Sequence, residues 1–422
     1  MSDRPLPRDV RMKGFANRAT VQQAWDWLDD AVESMRSSIG TELIPIAESV
    51  GRVLSADIVS RVDVPMFDRA MMDGYALHAD DTSGASNYNQ LELSVIGAAL
   101  PNAPFDGPVA RGQAVRIMTG APVPTGVDAV LPVEQTESAE SNPERVQILG
   151  ELPPQKNIGV RGEDIACGST VLRSGRRLRP QDVGILSSIG HGEIEVVRPI
   201  RVRVIVTGNE LLPRGSVPRG FQIVDANGPM LSTIAGRDGA VVVDDSIIPD
   251  SPDAIAAAMQ DDADVVLVSG GSSVGQEDHA PRLLAELGEL AIHGVAMRPS
   301  SPSGMGRLGH RLVFLLPGNP VSCLCSYDFF GGRAIRKLAG LQTADGDWPY
   351  ARVELPLRRK LVSQIGRVDY ARVTVVDGQV EPIAISGASM LSSTTRADGF
   401  VVVPADSEGS APETVVEVFL YG

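Results

Sequence analysis

Between about residue 199 and residue 318 the apolar positions fall in near-continuous runs: RVRVIV (201–206), AVVVDDSII (240–248), DVVLVSGG (264–271) and RLVFLLPG (311–318). Runs of this length, apolar on both faces, predict strands of a parallel sheet covered on both sides. The stretches between them (ANGPMLSTIAGRDG, SPDAIAAAMQ, DHAPRLLAELG) predict helices. Ser251 is a good N-cap with Pro252 at the first helical position, and Gly288 is a good C-terminal stop. Strands alternating with helices define an α/β domain. Elsewhere the pattern changes. In residues 18–38, Val21, Trp25, Leu28, Val32 and Met35 recur at three and four, which predicts an amphipathic helix capped by Thr20. From about 91 to 155, short apolar pieces broken by Pro and Gly predict a small β-rich domain. Residues 157–198 hold short strand and helix pieces, and from about 346 short strands and turns return, which suits a small β-barrel-like end domain.

Right-handed crossovers bring the carboxyl ends of parallel strands to one edge of the sheet, where ligands bind. Three Gly-bearing loops leave that edge: Thr207-Gly208-Asn209-Glu210, Ser269-Gly270-Gly271-Ser272-Ser273-Val274-Gly275, and Pro317-Gly318-Asn319-Pro320, which opens a helix. Glycines let backbone N–H groups turn toward an anion, and a helix N-terminus adds partial positive charge. One such loop is as readily a plain turn; three neighbours point to phosphate or another oxyanion. Glu210, Asp225, Asp250 and Asp278 cluster beside them. Carboxylates next to a phosphate site repel it unless a hard cation lies between, and Mg²⁺ bridges the two. Asp225 and Asp250 also read as helix caps.

Charge and composition narrow the class. At 422 residues, two to four domains are expected. A net charge of −15 disfavours nucleic acid and acidic membranes as partners. Arg173, Arg176, Arg177 and Arg179 form the densest basic stretch, read as a solvated turn or an anion contact. Cys167, Cys323 and Cys325 are too sparse for a disulfide framework, no apolar run reaches the ~18 residues of a membrane helix, and no apolar leader follows the N-terminal arginines. A cytoplasmic location is expected. His78, His191, His279, His293 and His310 lack metal spacing, and there is no G-x-S-x-G elbow, Walker loop or G-x-G-x-x-G. Lysine is confined to Lys13, Lys156, Lys337 and Lys360.

FDRAMMDGYAL (67–77), RIMTGAPVPTGVDAVLPVEQT (116–136), NIGVRGEDI, VTGNEL, SGGSSVG, PGNPVS and GASMLSSTTRADGFVVVP resemble, in order and spacing, the motifs of the MoeA/gephyrin family of molybdopterin molybdenumtransferases. The resemblance spans about residues 20–405. It implies a multi-domain α/β fold: a linker segment (18–62 plus 156–198), a β-rich insert (63–155), a MogA-like parallel α/β domain (199–345) and a C-terminal β-barrel domain (346–422). It implies Mg²⁺-dependent insertion of molybdenum from molybdate into adenylated molybdopterin with release of AMP. It also implies a homodimer with the active site at the subunit interface, and a MogA-type adenylyltransferase as a possible partner. Carried over residue by residue, Asp73, Thr119, Asp164, Glu210 and Asp278 match catalytic positions, and Glu210, Asp250 and Asp278 match metal positions. Gly270, Gly271, Ser272, Ser273, Gly275, Arg298, Pro317, Gly318, Asn319, Pro320 and Ser389 match cofactor-binding positions. Asp73 and Thr119 would reach in from the partner subunit.

Several positions depart from the family pattern. Asn209 replaces a carboxylate, Ala70 a serine, and Gly159 and Val160 stand where positive charge is usual. In GVAMRPSSP (294–302), which resembles KLAIKPGKP, two lysines have become Gly294 and Ser301 and a third is Arg298. At about 1.5–3 kcal/mol for each charge-assisted hydrogen bond, lost cations weaken the hold on a multiply charged ligand. Two functions fit: a working transferase whose positive charge comes from arginines such as Arg298 and Arg161, or an impaired paralogue serving as a molybdopterin-binding or scaffold protein.

Overall fold

The structure is a computed structural model that describes residues 18–137, 143–271, 279–341, 348–384 and 387–421. Helix α1 (Val21–Arg36) starts at Thr20, whose hydroxyl accepts from Gln23 N while Gln23 Oε1 accepts from Thr20 N, a reciprocal capping box. Its apolar face buries Ala24, Leu28, Ala31 and Val32.

The central domain follows the apolar runs. Its elements are β1 (Ile200–Thr207), α2 (Asn227–Arg237), β2 (Ala240–Asp244), α3 (Pro252–Ala258), β3 (Val265–Ser269), α4 (Ala280–Leu287), β4 (Glu289–His293), β5 (Gly304–Leu308), β6 (Arg311–Leu316), α5 (Pro320–Ser326) and α6 (Gly332–Leu338). The sheet runs β2-β1-β3-β6-β5-β4, with the first four strands parallel. β5 and β4 extend it antiparallel, an addition the apolar runs do not signal because β5 (GMGRL) carries two glycines and an arginine and β4 is only partly buried. Val202, Val204, Val265 and Leu267 face one apolar core, and Ile205, Val266 and Val268 face the other. Because β2 and β3 flank β1 on opposite sides, the chain reverses direction across β1, and the crevice outside β1 and β3 is the place where such sheets take ligands.

The chain on either side of residues 70–157 pairs with itself: Thr41–Pro45 with Glu193–Val197, Ile58–Val59 with Thr170–Leu172, and Arg69–Ala70 with Ile158–Gly159. Among the described residues, the strands between these pairings form a sheet of their own, 129–132, 74–77, 113–117, 91–99, 145–148 and 136–137 in spatial order. The C-terminal strands run Ala351–Pro356, Val415–Leu420, Gly399–Val403, Val368–Val376 and Gln379–Ala384, and a bridge from Leu357 to Val380 returns the last to the first, which closes a small barrel.

Two joints between the barrel and the central domain stand out among the described residues. Met297–Arg298 pairs with Val368–Asp369, placing Arg298 opposite Asp369. At the second joint Trp25, Phe329, Trp348, Tyr350, Tyr370, Phe400 and Phe419 form a chain of ring contacts. Buried beside them, Asp328 accepts from Tyr350 Oη at 2.8 Å and Tyr370 Oη at 3.3 Å. Burial, only partly offset by Arg237 and the Tyr350 hydroxyl, pushes its carboxyl up to about 6.

The basic stretch at 173–179 is structural. Arg176 holds Asp182 through two bonds of 2.9 Å, Arg179 N caps the same carboxylate, and Arg177 Nη1 donates to Arg237 O.

Candidate functional site

At the tip of β1, Thr207 Oγ1 donates to Asp250 Oδ1 at 2.9 Å, which draws the loop before α3 against the strand end. Asp250 N donates to Asn209 Oδ1 at 3.4 Å, so the loop carrying exposed Glu210 lies against the loop carrying Asp250. Asn209, where the family pattern has a carboxylate, thus serves here to dock one loop on the other. Asp278, with Ser272, Ser273 and Gly275, lies outside the described residues. Among the described residues no cluster of three or more His, Cys, Asp or Glu is arranged to hold a metal. Asp225 is a helix cap: its Oδ1 accepts from Asn227 N at 2.9 Å and Gly228 N at 3.0 Å at the start of α2. The structure thus shows the cap reading of Asp225.

Gly270 follows β3 with φ +98°, and a Cβ there would stand 2.4 Å from Thr207 O. Glycine is required on both counts. Gly271 also has positive φ, +57°, and its side-chain position faces Asp250 Oδ1 at 3.8 Å. The third loop closes in from β6, with the Cβ position of Gly318 3.7 Å from Gly270 Cα. Buried Asn227 ties the group together, its Nδ2 donating to Ser269 Oγ at 2.9 Å and to Gly318 O at 2.7 Å. The three loops therefore converge, as their positions in the sequence predict. Gly270→Ala is expected to cost at least about 1–3 kcal/mol from the strained backbone alone. It should also push the β3 loop off Thr207; a thermal melt unchanged from the parent protein would show that the approach is looser than described.

Beyond Gly318, the edge opens into a cleft of about 590 Å³ between the central domain and the barrel. Pro317 and Asn319 line one wall, Ser300–Pro302 another, and Gly387 and Ala388 a third. Val321 N, in the first turn of α5, donates to Ala388 O at 3.0 Å and fixes the barrel loop that carries Ser389. The charged residues in the lining are Arg18, Arg298 and Arg367. Arg298 Nη2 lies 2.5 Å from Asp369 Oδ2, and Arg367 Nε lies 3.3 Å from Asp369 Oδ1. Fully buried Asp369 also accepts from Ser363 Oγ at 2.8 Å. Two arginines on one carboxylate leave the cleft with net positive charge. Arg298 Nε and Ser301 Oγ are buried there without a hydrogen-bond partner among the described residues. Buried donors of that kind ordinarily have partners.

Ser300 holds φ +90°, a conformation that side chains disfavour, while its hydroxyl bonds to Ser322 O. The family segment has glycine at this position, so the backbone shape of the loop survives a less permissive residue. Arg161, the other arginine suggested as a replacement cation, is engaged elsewhere: its Nε donates to Asp63 Oδ2 at 2.6 Å and its N–H to Asp68 Oδ1 at 2.7 Å. Arg18 and Arg367 went unnoticed in the sequence. An arginine at the start of a barrel strand carries no motif signal, and only the pairing of Arg298 with Asp369 brings Arg367 to the cleft.

Asp73 and Thr119 meet on the insert sheet. Thr119 N and Oγ1 donate to Asp73 Oδ1 at 2.7 and 2.9 Å, and these bonds hold the exposed carboxylate below its usual range. Asp164 N donates to Val64 O. Within one chain Asp73 and Thr119 bond to each other, and no bond joins Asp73, Thr119 or Asp164 to Asp250 or Glu210 among the described residues. Around them Met66, Phe67, Met71, Met72 and Met118 are exposed.

An open, mostly parallel sheet with glycine loops converging at its reversal point, next to an arginine-lined cleft, defines a multi-domain α/β protein. Known proteins place it more narrowly. Residues 19–190 match the MoeA N-terminal region (domain I and II), 203–337 the family described as "Probable molybdopterin binding domain", and 354–421 the MoeA C-terminal region (domain IV). The chain belongs to the MoeA family. It is similar to molybdopterin molybdenumtransferase 2 of Mycobacterium tuberculosis, at 34% identity over 391 residues covering 89% of this chain and 94% of that one. The molybdopterin molybdenumtransferase of Haemophilus influenzae is 32% identical over 385 residues, 89% and 93% of the two chains. The crystal structure of the molybdopterin biosynthesis moeA protein from Pyrococcus horikoshii OT3 superposes with a TM-score of 0.83 at 30% identity, over 96% of this chain and all of that one.

Proposed function

We propose that the protein inserts molybdenum from molybdate into adenylated molybdopterin, with Mg²⁺ and release of AMP, as a step of molybdenum cofactor biosynthesis. The observation that carries the reading is the cleft lined by Arg298, Arg367 and Ser301 beside the convergent glycine loops. The relatives' shared name, molybdopterin molybdenumtransferase, agrees with it. Molybdate is a doubly charged oxyanion, and two guanidiniums held by one buried carboxylate give it fixed donors that need no reorganisation. Arg298 stands in for the third lysine, and the lysines missing at 294 and 301 are in this reading replaced by Arg367 and the Ser301 hydroxyl.

The pterin's phosphates would lie over Gly270, Gly271 and Gly318, within reach of the N-terminus of α5. Glu210 and Asp250 fit Mg²⁺: an exposed carboxylate and one with a free oxygen, on adjacent loops, suit an ion that keeps several waters and one or two protein ligands. Bound there, Mg²⁺ would neutralise charge on the phosphates as the adenylate leaves. Asp278 is proposed as a further ligand by resemblance. Asp73 and Thr119 are proposed to act from the partner subunit of a homodimer. The exposed methionines and Phe67 around them fit burial against a second copy. A MogA-type adenylyltransferase would supply the adenylated substrate.

The test is AMP release by the purified protein given adenylated molybdopterin, molybdate and Mg²⁺. Substrate binding without AMP release would favour the scaffold function, and no binding would remove both. Asp250→Asn is expected to raise the Mg²⁺ concentration needed for half-maximal turnover about tenfold or more, the loss of one charge-assisted contact. An unaltered Mg²⁺ dependence would remove Asp250 from the metal site.

A further inference from the structure

A second opening adjoins the cleft. A groove of about 740 Å³ runs over the barrel and shares Arg298, Gln364, Arg367 and Gly387 with the cleft, so the two form one continuous depression. Arg359 and Lys360 line the part of it that the cleft does not share. Every charged residue in its lining (Arg298, Arg359, Lys360, Arg367) is a cation. That is unexpected in a chain of net charge −15 with only four lysines. Arg359 is anchored: its Nη2 donates to Pro382 O and its Nε lies 3.6 Å from Glu381 Oε1. Lys360 is exposed and forms no ion pair among the described residues, so its charge is free to act on a ligand. Neither residue stands in any motif of the family.

We infer that Arg359 and Lys360 form an outer loading site, which collects a divalent oxyanion and passes it along the groove to Arg298 and Arg367. The inference rests on reading the cleft as the oxyanion site. The net charge of the protein repels a dianion at long range, and a groove of one sign walled by protein raises the local anion concentration and the association rate, by about 10- to 1,000-fold in strongly steered cases. Among the described residues its lining holds no aromatic residue that would stack a pterin or a base, so what it holds is a small anion or the anionic group of a larger ligand. Two sources share that chemistry: molybdate, and the phosphate group of the adenylated substrate.

The test compares the parent protein with Arg359→Gln/Lys360→Gln, in steady-state turnover, with each substrate varied in turn. For molybdate, kcat/KM should fall about fivefold in the variant at about 0.01 M salt, where the screening length is about 30 Å, and the gap should close toward about 1 M, where it is about 3 Å. Equal kcat/KM at low salt, or a gap that persists at high salt, would overturn the inference. A fall seen for adenylated molybdopterin instead would assign the groove to the phosphate. Equilibrium dialysis of the parent protein with molybdate separates the two levels: no binding there sinks the cleft itself, whereas binding with an inert groove sinks only the loading site.

Discussion

Arg298→Gln is expected to weaken molybdate binding about 10- to 100-fold, because a guanidinium contact to a dianion contributes about 1.5–3 kcal/mol. The register of the strand pair places this arginine opposite Asp369, and its Nε is buried without a partner among the described residues. Glutamine keeps much of the length and loses the charge. Asp369 would keep Ser363 Oγ at 2.8 Å and Arg367 at 3.3 Å, so the barrel should remain folded. Arg298→Lys is the informative companion. It restores the residue usual in the family and keeps the charge but not the forked geometry, and should lie between the parent and Arg298→Gln. Equilibrium dialysis at fixed salt reads the affinity, and a thermal melt checks folding. Wild-type affinity in Arg298→Gln would remove the cleft's central cation from the account.

The largest effect on stability is expected from Asp238→Ala. Asp238, fully buried at the end of α2, accepts from Arg336 Nη1 and Tyr327 Oη, each at 2.8 Å, and meets Arg237 Nη2 at 3.1 Å. Removing one member of a buried ionic cluster leaves the rest uncompensated and costs about 3–5 kcal/mol. Asp238→Asn keeps one acceptor for these donors and should cost less. The measurement is the denaturant midpoint of the transition that reports the central domain, since a chain of several domains has no single unfolding free energy. A loss below about 1 kcal/mol would mean that the cluster relaxes or admits water. Because the cluster lies against α6 and the turn Tyr327–Gly331 before it rather than the cleft, molybdate affinity of the folded variant should match the parent.

The sequence made the central domain legible and the cleft only in part. Strands apolar on both faces and helices with Ser251, Pro252 and Gly288 at their ends announce a parallel sheet, and the sheet fixes which loops share an edge. Convergence of the Thr207, Gly270 and Gly318 loops follows from strand order alone. Side-chain roles that depend on one local bond do not. Asp225 reads as a ligand or a cap until its bonds to Asn227 N and Gly228 N assign it to α2. Arg161 and Arg298 look alike as spare cations until Asp63 claims the first and the barrel pairing delivers the second. Arg367 stood out least, because its place in the cleft depends on a contact between domains far apart in sequence. Residues that reach across such junctions carry no periodic or motif signal.

The central claim is that the arginine-lined cleft is where the oxyanion sits. Tungstate, which has the charge and shape of molybdate and scatters X-rays anomalously, can be soaked into crystals of the protein. The account predicts one strong anomalous peak within hydrogen-bonding reach of Arg298, Arg367 and Ser301. A peak on the acidic side of the edge, beside Glu210 and Asp250, or none in the cleft at saturating tungstate, would contradict it.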